Sequence, residues 1–135
     1  MLARLIPTKV HAGLDYGVGL LLIASPWIFG FSDESSAATW IAVLAGVALI
    51  GLSTMTAYEG GVLARAIPMR THLVTDAALG VFLAISPWLF GFADEGGNAW
   101  LPFVAIGLGE LGAAALTDPE PEVAPKRRRQ AQGAH

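Results

Sequence analysis

The sequence predicts an all-α fold: a polytopic membrane four-helix bundle built from two tandem parallel helical-hairpin repeats. Three observations carry that prediction. The mean hydropathy is positive at +0.57 and charged residues make up only 14% of the chain, whereas a small soluble globule needs a polar surface to cover its core. The charges avoid the apolar runs: none falls between Tyr16 and Ser32, between Ala37 and Tyr58, or between Ala77 and Ala93, and only Glu110 interrupts Ala99 to Leu116. Finally, the stretch "IASPWIFGFSDE", from Ile23, is nearly repeated as "AISPWLFGFADE", from Ala84.

At about 1.5 Å of rise per residue, each run covers roughly the 30 Å hydrocarbon core of a bilayer. Backbone polar groups cannot stay unpaired in lipid, so the runs are read as helices, and their internal Gly and Pro are no objection. In chain order, residues 1–9 form an N-terminal segment, followed by a first repeat over 10–58 with helices at 10–31 and 37–57. A connection follows at 59–70, then a second repeat over 71–117 with helices at 71–92 and 98–117, and a disordered basic tail over 118–135. The first run does not read as a cleaved signal peptide: it contains Asp15, passes through Ser-Pro-Trp without a small-residue cleavage site, and has a full counterpart later in the chain. The connection has Gly60-Gly61 and Pro68 as breakers, with room for a short interfacial helix between them. The tail is Pro-rich and charged, and its Lys126–Arg129 run suits anionic lipid headgroups.

Charge sets the orientation. Arg4, Lys9, Arg65, Arg70 and the Lys126–Arg129 run occupy the ends and the central connection, while the two short turns carry Asp33, Glu34, Asp94 and Glu95. By the positive-inside rule the basic segments are cytoplasmic, so a multi-pass protein of the cell membrane with both termini inside is expected.

An offset of sixty-one residues superposes His11 on His72, Asp15 on Asp76, Gly19 on Gly80, and the Ser-Pro-Trp, Phe-Gly-Phe and Asp-Glu groups on their copies. With a one-residue gap, Trp40 meets Trp100. Units with an even number of spans enter the membrane in the same direction, so the expected symmetry is a pseudo-twofold along the membrane normal.

Two copies of "SPW" followed by "FGF" and acids, each closing the first helix of a two-span unit, resemble the SPW-repeat family of bacterial and archaeal integral membrane proteins. The similarity runs from about His11 to Leu116. It implies a fold and a location, and it assigns no reaction.

The motif has a physical reading. Pro26 and Pro87 free the carbonyls of Leu22 and Leu83, to which Ser25 and Ser86 can bond back. Trp27, Trp88, Trp40 and Trp100 then form an aromatic belt at one membrane face, and Gly30 and Gly91 cap the helices before the acidic turns. Close helix packing is expected along Gly13-xxx-Gly17, Ala42-xxx-Gly46 and Ala105-xxx-Gly109-xxx-Ala113.

The polar candidates are His11, Asp15, His72, Asp76 and Glu110. A spacing of four puts each His and Asp on one helix face, at matching depth in the two repeats. First-turn polar residues are the simplest reading. A two-His, two-carboxylate metal site, an axial haem pair and a proton or ion relay are the sharper ones. Glu110, aligned with Leu49, sits about 15 Å beyond Trp100 and hence near the midplane. It is expected to be neutral, hydrogen-bonded or at a subunit contact, with Tyr16, Thr54 and Thr56 as partners by type.

There is no cysteine, which excludes disulfides, thiolate metal sites and cysteine nucleophiles. Neither a phosphate-binding Gly loop nor a hydrolase or HExxH pattern occurs. The expectation is a non-enzymatic structural or accessory membrane module, without catalytic residues or cofactor. Its partners would be the lipid bilayer and a second copy or another membrane protein, and not nucleic acid. The alternatives are a small proton- or ion-coupled transporter or channel using Glu110 and the His/Asp pairs, and then a metal- or haem-binding membrane subunit.

Overall fold

The computed structural model describes residues 4–121. The Lys126–Arg129 run and most of the tail lie outside the described residues. Four helices form among the described residues, α1 Thr8–Ile28, α2 Ser36–Thr54, α3 Met69–Leu89 and α4 Gly97–Leu116, with one 3-10 turn at Ala93–Glu95. Among the described residues there is no strand, only the isolated bridges Ile6–Thr117 and Thr56–Ile67. By length and composition α2, α3 and α4 are apolar enough to cross a membrane. The first helix is as long as α3 but is not one of these three; Lys9, His11 and Asp15 crowd its first two turns.

Each hairpin packs chiefly within itself, α1 on α2 and α3 on α4, with lighter α2–α3 and α1–α4 contacts. Glycine sets the approach within each hairpin. A Cβ on Gly46 would lie 2.5 Å from the carbonyl oxygen of Gly19, and one on Gly107 would lie 2.5 Å from that of Gly80. The expected Gly13-xxx-Gly17 and Gly109 contacts are not made, since a Cβ at any of these three positions would meet nothing within 4 Å. Those residues point away from the bundle; of the expected stripes, the Ala42/Gly46 pair is the one turned inward.

The Ser-Pro-Trp-x-Phe-Gly-Phe stretch ends each first helix. Pro26 and Pro87 are buried inside α1 and α3. Ser25 Oγ donates to Leu22 O at 2.8 Å, the carbonyl freed by the proline, but Ser86 Oγ donates at 2.6 Å to Phe82 O rather than to Leu83 O. Gly30 and Gly91 take φ of +76° and +75°, a region that favours glycine. The reversal turns Phe31 and Phe92 into the core, fully buried against Phe103 with ring centroids 5.8 and 4.8 Å away. Trp27 and Trp88 stay outside, 63% and 62% exposed.

At the opposite end the chain closes on itself. Leu5 and Ile6 N–H donate to Leu116 O, and Asp118 N–H donates to Ile6 O. In the central connection Ala66 and Ile67 donate to Met55 O, and Leu63 and Ala64 donate to Thr54 O. No interfacial helix forms between Gly61 and Pro68, because these amides cap the last carbonyls of α2 instead. Equivalent positions keep the offset of sixty-one throughout: the α2 and α4 N-caps Ser35 and Gly96, the close-approach glycines Gly46 and Gly107, and the bridge threonines Thr56 and Thr117. Pairing Trp40 with Trp100 through a gap is therefore incorrect, and the two tryptophans occupy successive positions in the repeat.

A candidate polar centre shared by the two repeats

The first two turns of α1 and α3 begin after Pro7 and Pro68, whose fixed φ starts each helix at the same register. His11 and Asp15 then fall on the inward face of α1, and His72 and Asp76 on that of α3, all four at most 1% exposed. They meet across the bundle axis, although α1 and α3 are not a closely packed pair. His11 Nε2 lies 3.1 Å from Asp15 Oδ1 and 2.8 Å from Asp76 Oδ2, and His72 Nε2 lies 2.9 Å from Asp15 Oδ2 and 3.0 Å from Asp76 Oδ2. Each histidine thus contacts the aspartate of its own repeat and that of the other.

The far side of each imidazole is held by a threonine. Thr117 Oγ1 lies 2.7 Å from His11 Nδ1, and Thr56 Oγ1 lies 2.7 Å from His72 Nδ1. Each hydroxyl already donates its one proton four residues back along its helix, Thr117 to Ala113 O and Thr56 to Leu52 O. Both threonine oxygens must therefore accept from the rings, so Nδ1 carries hydrogen in His11 and His72 alike. The pairing is exchanged between repeats: the threonine that ends α4 holds the histidine of α1, and the one just beyond α2 holds that of α3.

Tyr58 breaks the symmetry. Its hydroxyl, fully buried, donates to Asp15 Oδ2 at 2.8 Å, and its ring lies 5.1 Å from that of His72. Burial, then the neighbouring Asp15 charge, push the phenol pKa up, so Tyr58 remains a donor. The matching position in the second repeat is Pro119, which has no side-chain donor. Among the described residues, Asp76 Oδ1 and His72 Nε2 are both buried without a hydrogen-bond partner.

Of the sequence candidates, the structure unites His11, Asp15, His72 and Asp76, and the four can offer ligand atoms within 4.8 Å of one another. Glu110 is 4% exposed on the α3-facing side of α4, and among the described residues its Oε2 has no hydrogen bond. Its expected partners are engaged elsewhere: Tyr16 with Gly60 O, Thr54 with Gly51 O, and Thr56 with Leu52 O and His72. Sequence reasoning missed Tyr58 and the roles of Thr56 and Thr117; the threonines were detectable, since they share the offset of the two histidines.

A sequence model described as the SPW repeat domain matches residues 9–117. The chain belongs to the SPW repeat domain family. The match takes in both hairpins and, with them, the residues of the polar centre. No curated protein and no solved structure matches the chain.

Proposed function

We propose that this SPW repeat protein is a non-enzymatic, multi-pass module of the cell membrane whose two hairpins are clamped into one body by the His/Asp quartet. Four spans and cytoplasmic termini complete the reading. The exchange of contacts supports it most directly: each histidine is bonded on one edge by the other repeat's threonine and on the other meets both aspartates. Such a body presents its apolar outer surface, including Leu20, Leu44, Val74 and Leu108, to lipid, a second copy or another membrane protein. Arg4, Lys9, Arg65 and Arg70 lie toward the clamped end and the acidic turns toward the other, which supports a cytoplasmic position for the clamp.

Topology is tested by single cysteines at Ser35 and Gly96 in this cysteine-free chain, labelled in intact cells with a membrane-impermeant maleimide. Both should label from outside. Labelling of the two from opposite sides would refute the parallel-repeat arrangement.

A second reading, a proton- or ion-coupled pathway, is favoured by one observation, the buried and unpartnered Glu110 Oε2. In reconstituted vesicles it requires a flux that disappears with Glu110→Gln while the bundle stays folded.

A further inference from the structure

The two Nε2 atoms are where the quartet's chemistry is undecided. With Nδ1 of both rings carrying hydrogen toward Thr56 and Thr117, a neutral imidazole would turn a bare Nε2 lone pair toward carboxylate oxygens 2.8 to 3.1 Å away. Lone pair against carboxylate is repulsive, so positive charge has to lie between them. Two protons would supply it, and so would one dication. Protons fit imperfectly: His72 Nε2 has carboxylate oxygens at 2.9 and 3.0 Å yet hydrogen-bonds to neither, and Asp76 Oδ1 is left over as well. An N–H points one way only, whereas a metal ion collects a lone pair and two carboxylates at once.

We propose that the quartet binds one divalent transition-metal ion of the zinc class, through Nε2 of His11 and His72 and one carboxylate oxygen each from Asp15 and Asp76. The proposal rests on the clamp reading and deepens it. Two imidazoles and two carboxylates suit zinc and its neighbours; magnesium and calcium favour all-oxygen sites. The Nδ1–H bonds to Thr56 and Thr117 are the outer support that metal-ligating histidines usually have, fixing the tautomer that leaves Nε2 for the ion. Tetrahedral bonds of about 2.0–2.1 Å require ligand–ligand edges of about 3.3–3.4 Å. Taking Oδ2 from each aspartate, three nitrogen–oxygen edges are 2.8, 2.9 and 3.0 Å, a few tenths of an ångström shorter than this, and one ligand atom from each of the four residues lies within 4.8 Å of the others, so the side chains need to open slightly and Asp15 to turn one oxygen toward both rings. Two carboxylates balance the ion's charge, and an entering dication replaces two Nε2 protons, leaving the site's net charge unchanged. With all four positions filled by protein the ion would be structural, joining the repeats and presenting no open position to a substrate.

The test uses the full chain, purified in mild detergent through a tag without histidine, with its metal content measured. About one zinc per chain is expected. After stripping with chelator, the thermal midpoint should fall and recover with zinc chloride but not with magnesium chloride, and cobalt(II) should give the intense visible bands of a tetrahedral site. Asp76→Asn should abolish saturable binding and Asp76→Cys should restore it, which a plain ion pair would not allow. If these variants do not fold, Thr56→Val and Thr117→Val keep all four ligands and should each weaken binding by about tenfold or more. A stripped wild-type protein that is folded and takes up neither zinc nor cobalt overturns the proposal; so does zinc binding indifferent to Asp76→Asn or to the threonine changes. Neither result touches the clamp, which is judged separately by the energetic coupling of His11 to Asp76 in the presence of chelator.

Discussion

The two repeats share one plan and are finished differently. At the offset of sixty-one the histidines, aspartates, close-approach glycines, Ser-Pro-Trp motifs and terminal threonines coincide, but Leu49 corresponds to Glu110, Ala42 to Phe103, and Tyr58 to Pro119. The shared residues hold the bundle together, within each hairpin through glycine and between hairpins through the quartet. The unshared residues settle individual needs. Phe103 fills the space between Phe31 and Phe92, where a second phenylalanine in place of Ala42 would have no room in a core already closed. Tyr58 satisfies Asp15, and nothing equivalent reaches Asp76. Symmetry thus accounts for how the centre is built, and asymmetry for which of its carboxylates retains an unsatisfied oxygen.

The comparison is broken most severely by removing a carboxylate. Asp15→Ala and Asp76→Ala each leave buried histidines short of a counter-charge and should cost about 3–5 kcal/mol. The Asp15 change should cost more, by about 1 kcal/mol or above, because it also orphans the Tyr58 hydroxyl. Chemical denaturation in detergent checks both; equal losses would mean that the Tyr58 bond contributes nothing.

The glycines come next. Gly46→Ala and Gly107→Ala force apart backbones already in contact and should each cost about 1–3 kcal/mol, with similar size in the two repeats. Gly13→Ala and Gly109→Ala, with open space around them, should be neutral or stabilise by up to about 1 kcal/mol through helix propensity. Thermal unfolding of the four variants side by side separates the faces.

The smallest effects sharpen the asymmetry. Tyr58→Phe makes the surroundings of Asp15 resemble those of Asp76 and should cost about 1–2 kcal/mol. Glu110→Leu restores the residue of the first repeat and removes a buried polar group, so stability should hold or rise. A clear loss on Glu110→Leu, read from the unfolding midpoint, would show that the carboxyl contributes to packing or binding.

The fold was largely legible in the sequence because lipid leaves few choices: apolar length, charge placement and an internal repeat suffice to indicate hairpins. Depth was legible too, since matched positions in parallel repeats lie at one level, and this put the two His/Asp pairs together. Rotation about the helix axis was not. Small-residue spacing marks where a backbone can approach but not which face meets a neighbour, so Gly13 and Gly17 looked as suitable as Gly19, which makes the contact. Thr56 and Thr117 match at the same offset as Leu49 and Glu110, but as two ordinary residues at the helix ends they carry no chemical signal of a histidine contact. Tyr58 could not be found by symmetry, because it has no counterpart.

If the quartet joins one repeat to the other, His11 and Asp76 are energetically coupled, and a double-mutant cycle on His11→Asn and Asp76→Asn reads that coupling. The wild type, both single variants and the double variant would be unfolded at equilibrium in mild detergent with chelator present. Strong coupling, at least about 1 kcal/mol, is expected, because each single change strands a buried partner that the double change removes. Additivity within about 0.5 kcal/mol would contradict it, leaving two independent hairpins whose polar residues merely lie at the same depth.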